Sequence, residues 1–136
     1  MITRHEITLP AKGRGFHLVT SQIEKALGKL PEQGIVHLFL RHTSAGLTIN
    51  ENADPSVRAD FETFFNDMVP ESYRKFTHTM EGSDDMPAHI KGSLVGFEVT
   101  IPIANGRLDM GTWQGIYLCE FRNHGGNRKV TATVFS

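Results

Sequence analysis

Apolar residues recur along this chain with two different periods, and the changes of period divide it into elements. Val57, Phe61, Phe64, Phe65 and Met68 fall at i, i+4, i+7, i+8 and i+11, which is one wide face of a helix. Asp54 ahead of them suits an N-cap. Pro55 suits the first helical position, where its missing N–H would be unpaired anyway, and Pro70 closes the segment. The three phenylalanines of this stripe are expected to pack in the core. From Val95 the period falls to two: Val95, Phe97, Val99, Ile101 and Ile103 alternate without a break and predict a strand. Asn105-Gly106 then supplies the positive φ angles of a tight hairpin turn.

Weaker signals complete the pattern. Residues 2–9 are weakly strand-like, and Gly13-Arg-Gly15 marks a turn. Ser21-Gln-Ile-Glu24 has the form of a capping box, opening a short helix with Ile23, Ala26, Leu27 and Leu30 on one face. Gly34 releases the chain into the apolar run 35–40, a buried strand, and Leu47-Thr-Ile49 continues extended. Asp85 reads as the N-cap of a further helix, with Pro87 in its first turn. Strands near 115–122 and 129–135 flank the loop Asn123-His-Gly-Gly-Asn127. Strands and helices do not alternate regularly, which argues against a doubly wound parallel sheet. The expected fold class is α+β: one compact domain over 1–136, a largely antiparallel sheet or sandwich with two or three helices.

At 136 residues the chain fits one domain, and such a domain buries roughly two-thirds of its unfolded surface, so it needs no disulfides. Fourteen basic against 15 acidic residues provide no electrostatic case for nucleic acid or an anionic membrane as partner. A lone cysteine, Cys119, fits a reducing compartment. With no apolar signal core and no membrane-spanning run, the expected location is cytoplasmic. Cys119 itself reads as a small half-buried strand residue. Seven histidines are many for this length, so their placement matters.

His78–His89 holds two imidazoles and three carboxylates, Glu81, Asp84 and Asp85, within twelve residues. His42 follows an apolar strand, beside Thr43 and Ser44. Asn50 and Glu51 offer an amide and a carboxylate just before the long helix. Neutral imidazoles and carboxylates suit zinc and other divalent ions. Three histidines with a fourth position open could activate water or polarise an oxygen, although the spacing matches no named zinc motif. A third segment, Arg107–Gln114 with Arg122, His124-Gly125-Gly126 and Arg128, could cradle a phosphate. Gly125 and Gly126 fit loop geometry better, and the arginines stay open between structural and binding roles. Trp113 is expected as a core or interface anchor, and His5, His17 and His37 as satisfied structural side chains.

His42-Thr-Ser-Ala, Asn50-Glu-Asn-Ala-Asp-Pro55, the run from Glu81 to Lys91 and Gly111-Thr-Trp-Gln114 together resemble the YjbQ-like family, from about Gly15 to the C-terminus. The resemblance implies a homotrimer with a secondary thiamine-phosphate synthase activity. That reaction couples a pyrimidine-methyl diphosphate to a thiazole phosphate with loss of pyrophosphate. It implies His42, His78 and His89 as ligands of a divalent metal, zinc first and magnesium second. Glu81, Asp84 and Asp85 would orient the imidazoles or act as acid and base. Thr43, Ser44, Asn50 and Glu51 join them as catalytic candidates, and Lys91 would meet a phosphate. Gly111, Thr112, Trp113 and Gln114 form a second tier. The expected partner is a small phosphorylated metabolite. The alternatives are a metal-dependent hydrolase of such a metabolite and a non-catalytic trimeric binding protein.

Overall fold

The computed structural model describes residues 1–136. In chain order the elements are β1 (Ile2–Leu9), β2 (Gly15–Leu18), α1 (Thr20–Leu27), β3 (Gln33–Leu40), β4 (Ala45–Glu51) and α2 (Pro55–Met68). They continue with α3 (Asp85–Val95), β5 (Glu98–Ala104), β6 (Arg107–Leu108), β7 (Gln114–Glu120) and β8 (Arg128–Phe135). The strands form two antiparallel sheets, a five-stranded one in the order β1-β8-β3-β5-β6 and a three-stranded one in the order β2-β7-β4. Two antiparallel sheets with three helices make an α+β sandwich, as the patterning predicts.

The alternation of each strand sets the layers. Val36, Leu38 and Leu40 of β3, Ile101 and Ile103 of β5, and Val130, Ala132 and Val134 of β8 point inward from the larger sheet. They meet Ile116 and Leu118 of β7 and Leu47 of β4, with Ile23 and Leu27 of α1 closing one side. β7 is buried on both faces, because Tyr117, Cys119 and the following Phe121 pack in a second cluster with Phe16 and Ala88. That is why 115–121 reads as a nearly continuous apolar run. Cys119 is fully buried rather than half-buried, and burial pushes its thiol far above the ordinary range. Asn105 (φ 54°) and Gly106 (φ 73°) make the β5–β6 turn, as expected of a two-residue hairpin.

Four local expectations are corrected. α1 starts at Thr20 with no side-chain cap, so the capping box at Ser21 does not form, and Thr20 Oγ1 instead accepts a hydrogen bond from Ile116 N. The period-two pattern from Val95 begins too early. Val95 ends α3, Gly96 (φ 101°) turns the chain, and β5 starts at Glu98. The α2 stripe is not core. The helix lies outside the three-stranded sheet, and Phe61 and Phe65 reach Phe16 (ring centroids 5.2 and 5.4 Å). Phe64 stays 66% exposed, beside an open concavity of about 570 Å³. A stripe this wide exceeds the face that one sheet can cover. Trp113 is 64% exposed and so is not a core residue. No helix is long and apolar enough to cross a membrane.

Candidate functional site

The polar site lies where the first turns of α3 meet the 78–84 loop, the end of β7 and the β3–β4 connection. Asp54 caps α2 as expected, accepting from Ser56 N at 2.9 Å. Asp85 does not cap α3. It occupies the first turn of that helix almost fully buried, and its carboxylate is taken by side chains. Oδ1 accepts from Arg122 Nη1 at 2.6 Å, while Oδ2 faces His78 Nε2 at 2.6 Å and His89 Nε2 at 3.1 Å. The i, i+4 spacing of Asp85 and His89 puts both on one helix face. The 78–84 loop folds His78 back onto them, so that one donor atom from each of the three lies within 4.8 Å of the others.

Arg122 organises the acidic half. Besides Asp85 it donates from Nε to Asp84 Oδ2 at 3.0 Å and from Nη2 to the Glu81 carbonyl at 2.9 Å, and Asn123 N adds a 2.8 Å bond to Asp84. Burial works to raise the Asp84 carboxyl and is outweighed by the Asn123 N–H and the Arg122 guanidinium. Burial also works to raise Asp85 and is outweighed by the His78 hydrogen bond, Arg122 and His89. Both carboxyls therefore lie below their ordinary range and are ionised at neutral pH.

Proton accounting at His89 sharpens the picture. Its Nδ1 lies 3.0 Å from the Thr43 carbonyl, which can only accept, so Nδ1 carries a hydrogen. In a neutral ring Nε2 is then a bare lone pair, and it points at an ionised carboxylate oxygen. Two lone pairs at 3.1 Å require a cation between them, either a proton on Nε2 or a metal ion. A ring nitrogen held by a backbone carbonyl is the support that a metal-ligating histidine needs on its far side. Gly92 allows the approach. A Cβ there would sit 2.9 Å from Ala45 O and 3.4 Å from Thr43 O, so α3 can lie directly on the 43–45 backbone.

The structure does not bring the other expected residues into this group. His42 Nε2 accepts from Lys129 N at 2.7 Å, across the sheet. Burial, followed by Arg128, lowers its basicity, so it is a neutral ring with a structural bond. Thr43 contributes its carbonyl, and the Ser44 hydroxyl accepts from Arg128. Asn50 Oδ1 takes Glu51 N, and Glu51 Oε2 takes Asp54 N, both within the turn that leads into α2. Glu81 enters through its carbonyl alone. Lys91 is buried at 1% exposure beneath Phe121, bonded to Asn66 Oδ1 at 2.7 Å, so its ammonium is turned inward rather than presented to solvent. Burial, then the Arg14 cation, holds its ammonium below the ordinary lysine range. In the second tier, Gln114 Oε1 accepts from Gly111 N, while Asn52 ties down Thr112 and Gln114.

Arg122, open between two roles in the sequence, is a site residue, while Glu120 carried no expectation at all. A signal for Glu120 was present. Ile116 and Leu118 alternate inward, and a carboxylate continues that series where an apolar residue is expected.

A family model described as UPF0047 protein YjbQ-like matches residues 5–136. The chain belongs to the YjbQ-like family. It is 54% identical over 130 residues to the UPF0047 protein YjbQ of Salmonella typhimurium, covering 94% of each. To a UPF0047 protein of Synechocystis it is 43% identical over 129 residues, covering 94% of this chain and 88% of the other. A crystal structure of a conserved hypothetical protein from Thermus thermophilus superposes with TM-score 0.85 at 32% identity, over 96% of this chain and 98% of that one. One of a YjbQ/UPF0047 protein from Clostridium acetobutylicum does so with TM-score 0.83 at 38% identity, with the same coverage.

Proposed function

We propose that His78, Asp85 and His89 hold a divalent metal ion, zinc before magnesium, and that the YjbQ-like chain uses this centre on a small phosphorylated metabolite. The observation that carries the reading is His89 Nε2 and His78 Nε2 converging on the ionised Asp85 Oδ2, with His89 Nδ1 tied to Thr43 O. The donor set, two imidazoles and one carboxylate, suits zinc and leaves coordination positions open. His78 and His89 are part-exposed while Asp85 is buried, so the open side faces solvent. When bound, the ion would supply Lewis acidity and neutralise charge developing on a leaving phosphate or diphosphate. Arg122 keeps Asp85 ionised and aimed at the histidines, and Thr43 fixes the His89 ring.

The reaction that we assign to this site is a weak coupling of a pyrimidine-methyl diphosphate with a thiazole phosphate, the bond to diphosphate breaking as the bond to the thiazole forms. One observation favours a second reading, hydrolysis of a phosphorylated metabolite. Arg122 and Lys91 are both committed to internal partners, so neither offers a free charge to a departing diphosphate. Homotrimeric assembly in the cytoplasm belongs to the same proposal.

The test starts with tag-free protein. Elemental analysis and Co²⁺ titration are expected to give one ion per chain, lost in His89→Ala and retained in His42→Ala. No stoichiometric binding would remove the metal reading. Thiamine phosphate formation from the two precursors, set against phosphate release from simple esters, decides between the reactions. Equal coupling rates in wild type and a His78→Ala, His89→Ala double variant would sink the site. Sedimentation at one-chain mass would remove the trimer.

A further inference from the structure

Glu120 and Arg128 form an almost fully buried ion pair that contacts none of His78, Asp85 and His89. Glu120 continues the inward series Ile116, Leu118 on β7, and Arg128 begins the inward series Val130, Ala132, Val134 on β8. These strands belong to different sheets, so the pair is a cross-link at one end of the sandwich. It is a bidentate fork, with Arg128 Nε to Glu120 Oε1 at 2.7 Å and Nη2 to Oε2 at 2.6 Å. Gly125 seals it: a Cβ there would stand 2.5 Å from Arg128 Nη2 and 2.6 Å from Glu120 Oε1. Stability does not explain the choice, because well-packed apolar residues of similar volume commonly do as well or better than a buried ion pair.

The remaining bonds of the pair lead to the site by two routes. Glu120 Oε2 accepts from the backbone N of Arg122 at 3.1 Å, and the Arg122 side chain holds Asp84 and Asp85. Arg128 Nη2 donates to Ser44 Oγ at 3.0 Å and reaches Ser44 O at 3.3 Å, next to Thr43, whose carbonyl holds His89 Nδ1. We propose that Glu120 and Arg128 are positioning residues: by tying the Arg122 backbone to Ser44 across the two sheets, the pair holds in place the two supports, Arg122 and the Thr43 carbonyl, that orient the Asp85 carboxylate and the His89 ring. The proposal rests on reading His78, Asp85 and His89 as a donor set.

The experiment uses two variants and two readouts. Glu120→Met with Arg128→Met replaces the pair by apolar volume, and Gly125→Ala keeps both charges but forces them apart. The first readout, independent of any metal, is the imidazole ¹⁵N spectrum of His89 in metal-free protein at one fixed pH. The second is Co²⁺ affinity. Wild type is expected to show Nδ1 protonated. In both variants the Nδ1 resonance is expected to move toward the unprotonated value while thermal unfolding stays cooperative. Co²⁺ affinity should fall about tenfold or more, the usual effect of losing a residue that orients a ligand. An unchanged Nδ1 resonance in a folded variant overturns the proposal whatever the Co²⁺ result. If wild type takes up no Co²⁺, the metal reading fails and the Nδ1 resonance still decides: moved, it supports positioning; unmoved, it overturns it. If the double variant does not fold, Gly125→Ala decides by the same measure.

Discussion

Replacing Arg122 with alanine removes three donors at once: to Asp84, to Asp85 and to the Glu81 carbonyl. The stranded carboxylates are buried, their side chains 11% and 2% exposed, so water cannot fully replace the guanidinium. Removing one partner of a buried pair typically costs 3–5 kcal/mol, and Arg122 is itself about a quarter exposed, so the low end applies, about 3 kcal/mol. For a domain of this size that is about 10 °C in Tm. Both carboxyls lie below their ordinary range in the folded chain, so the stability they contribute is present above that range and is lost as pH falls through it. In the variant burial acts unopposed by Arg122, and protonation relieves the stranded charge. The gap between wild type and Arg122→Ala should therefore be full at neutral pH and narrow as pH falls toward and through the ordinary carboxylate range. Urea denaturation followed by circular dichroism across that range measures it. A loss below about 1 kcal/mol at neutral pH, or a gap that does not change with pH, would refute the reasoning.

Lys91 should act in the same pH sense, in the alkaline window. Its folded-state basicity is lowered, so wild-type stability should rise with pH between that depressed value and the ordinary lysine range, and Lys91→Met should lack this rise; parallel slopes would show that the burial penalty is absent. Cys119 should react with a thiol reagent only as fast as the fold opens, and rapid modification in native buffer would contradict its burial. Asp54→Ala should lower the urea midpoint through loss of the α2 N-cap, and an unchanged midpoint would assign that bond no role.

Legibility followed range along the chain. The α2 cap, the Asn105-Gly106 turn and the alternation from Val99 to Ile103 are local, so neighbouring residues decide them. The Ser21 capping box matched its pattern and failed because Thr20, one residue earlier, bonds a strand ninety-six positions away. The α2 stripe was periodic enough to be read as core, yet periodicity records which residues share a face and not whether anything covers it.

The same division holds at the site. The sequence by itself determined the family and the α+β class, and it put Asp85 among the carboxylates that could orient the imidazoles, while reading it as a helix cap. It also put His78 and His89 in one candidate donor set, which the fold of the 78–84 loop then assembles. Only the tertiary structure decided that His42 turns away to Lys129 N, that Lys91 is buried against Asn66, and that Arg122 joins the carboxylates. These are questions of which strand end faces which loop. Asp85 and Arg122 lie 37 residues apart, joined by the packing of α3 near β7, and no local rule connects them. Short-range physics selects the elements and their faces, while the chemistry sits where distant elements close on one another.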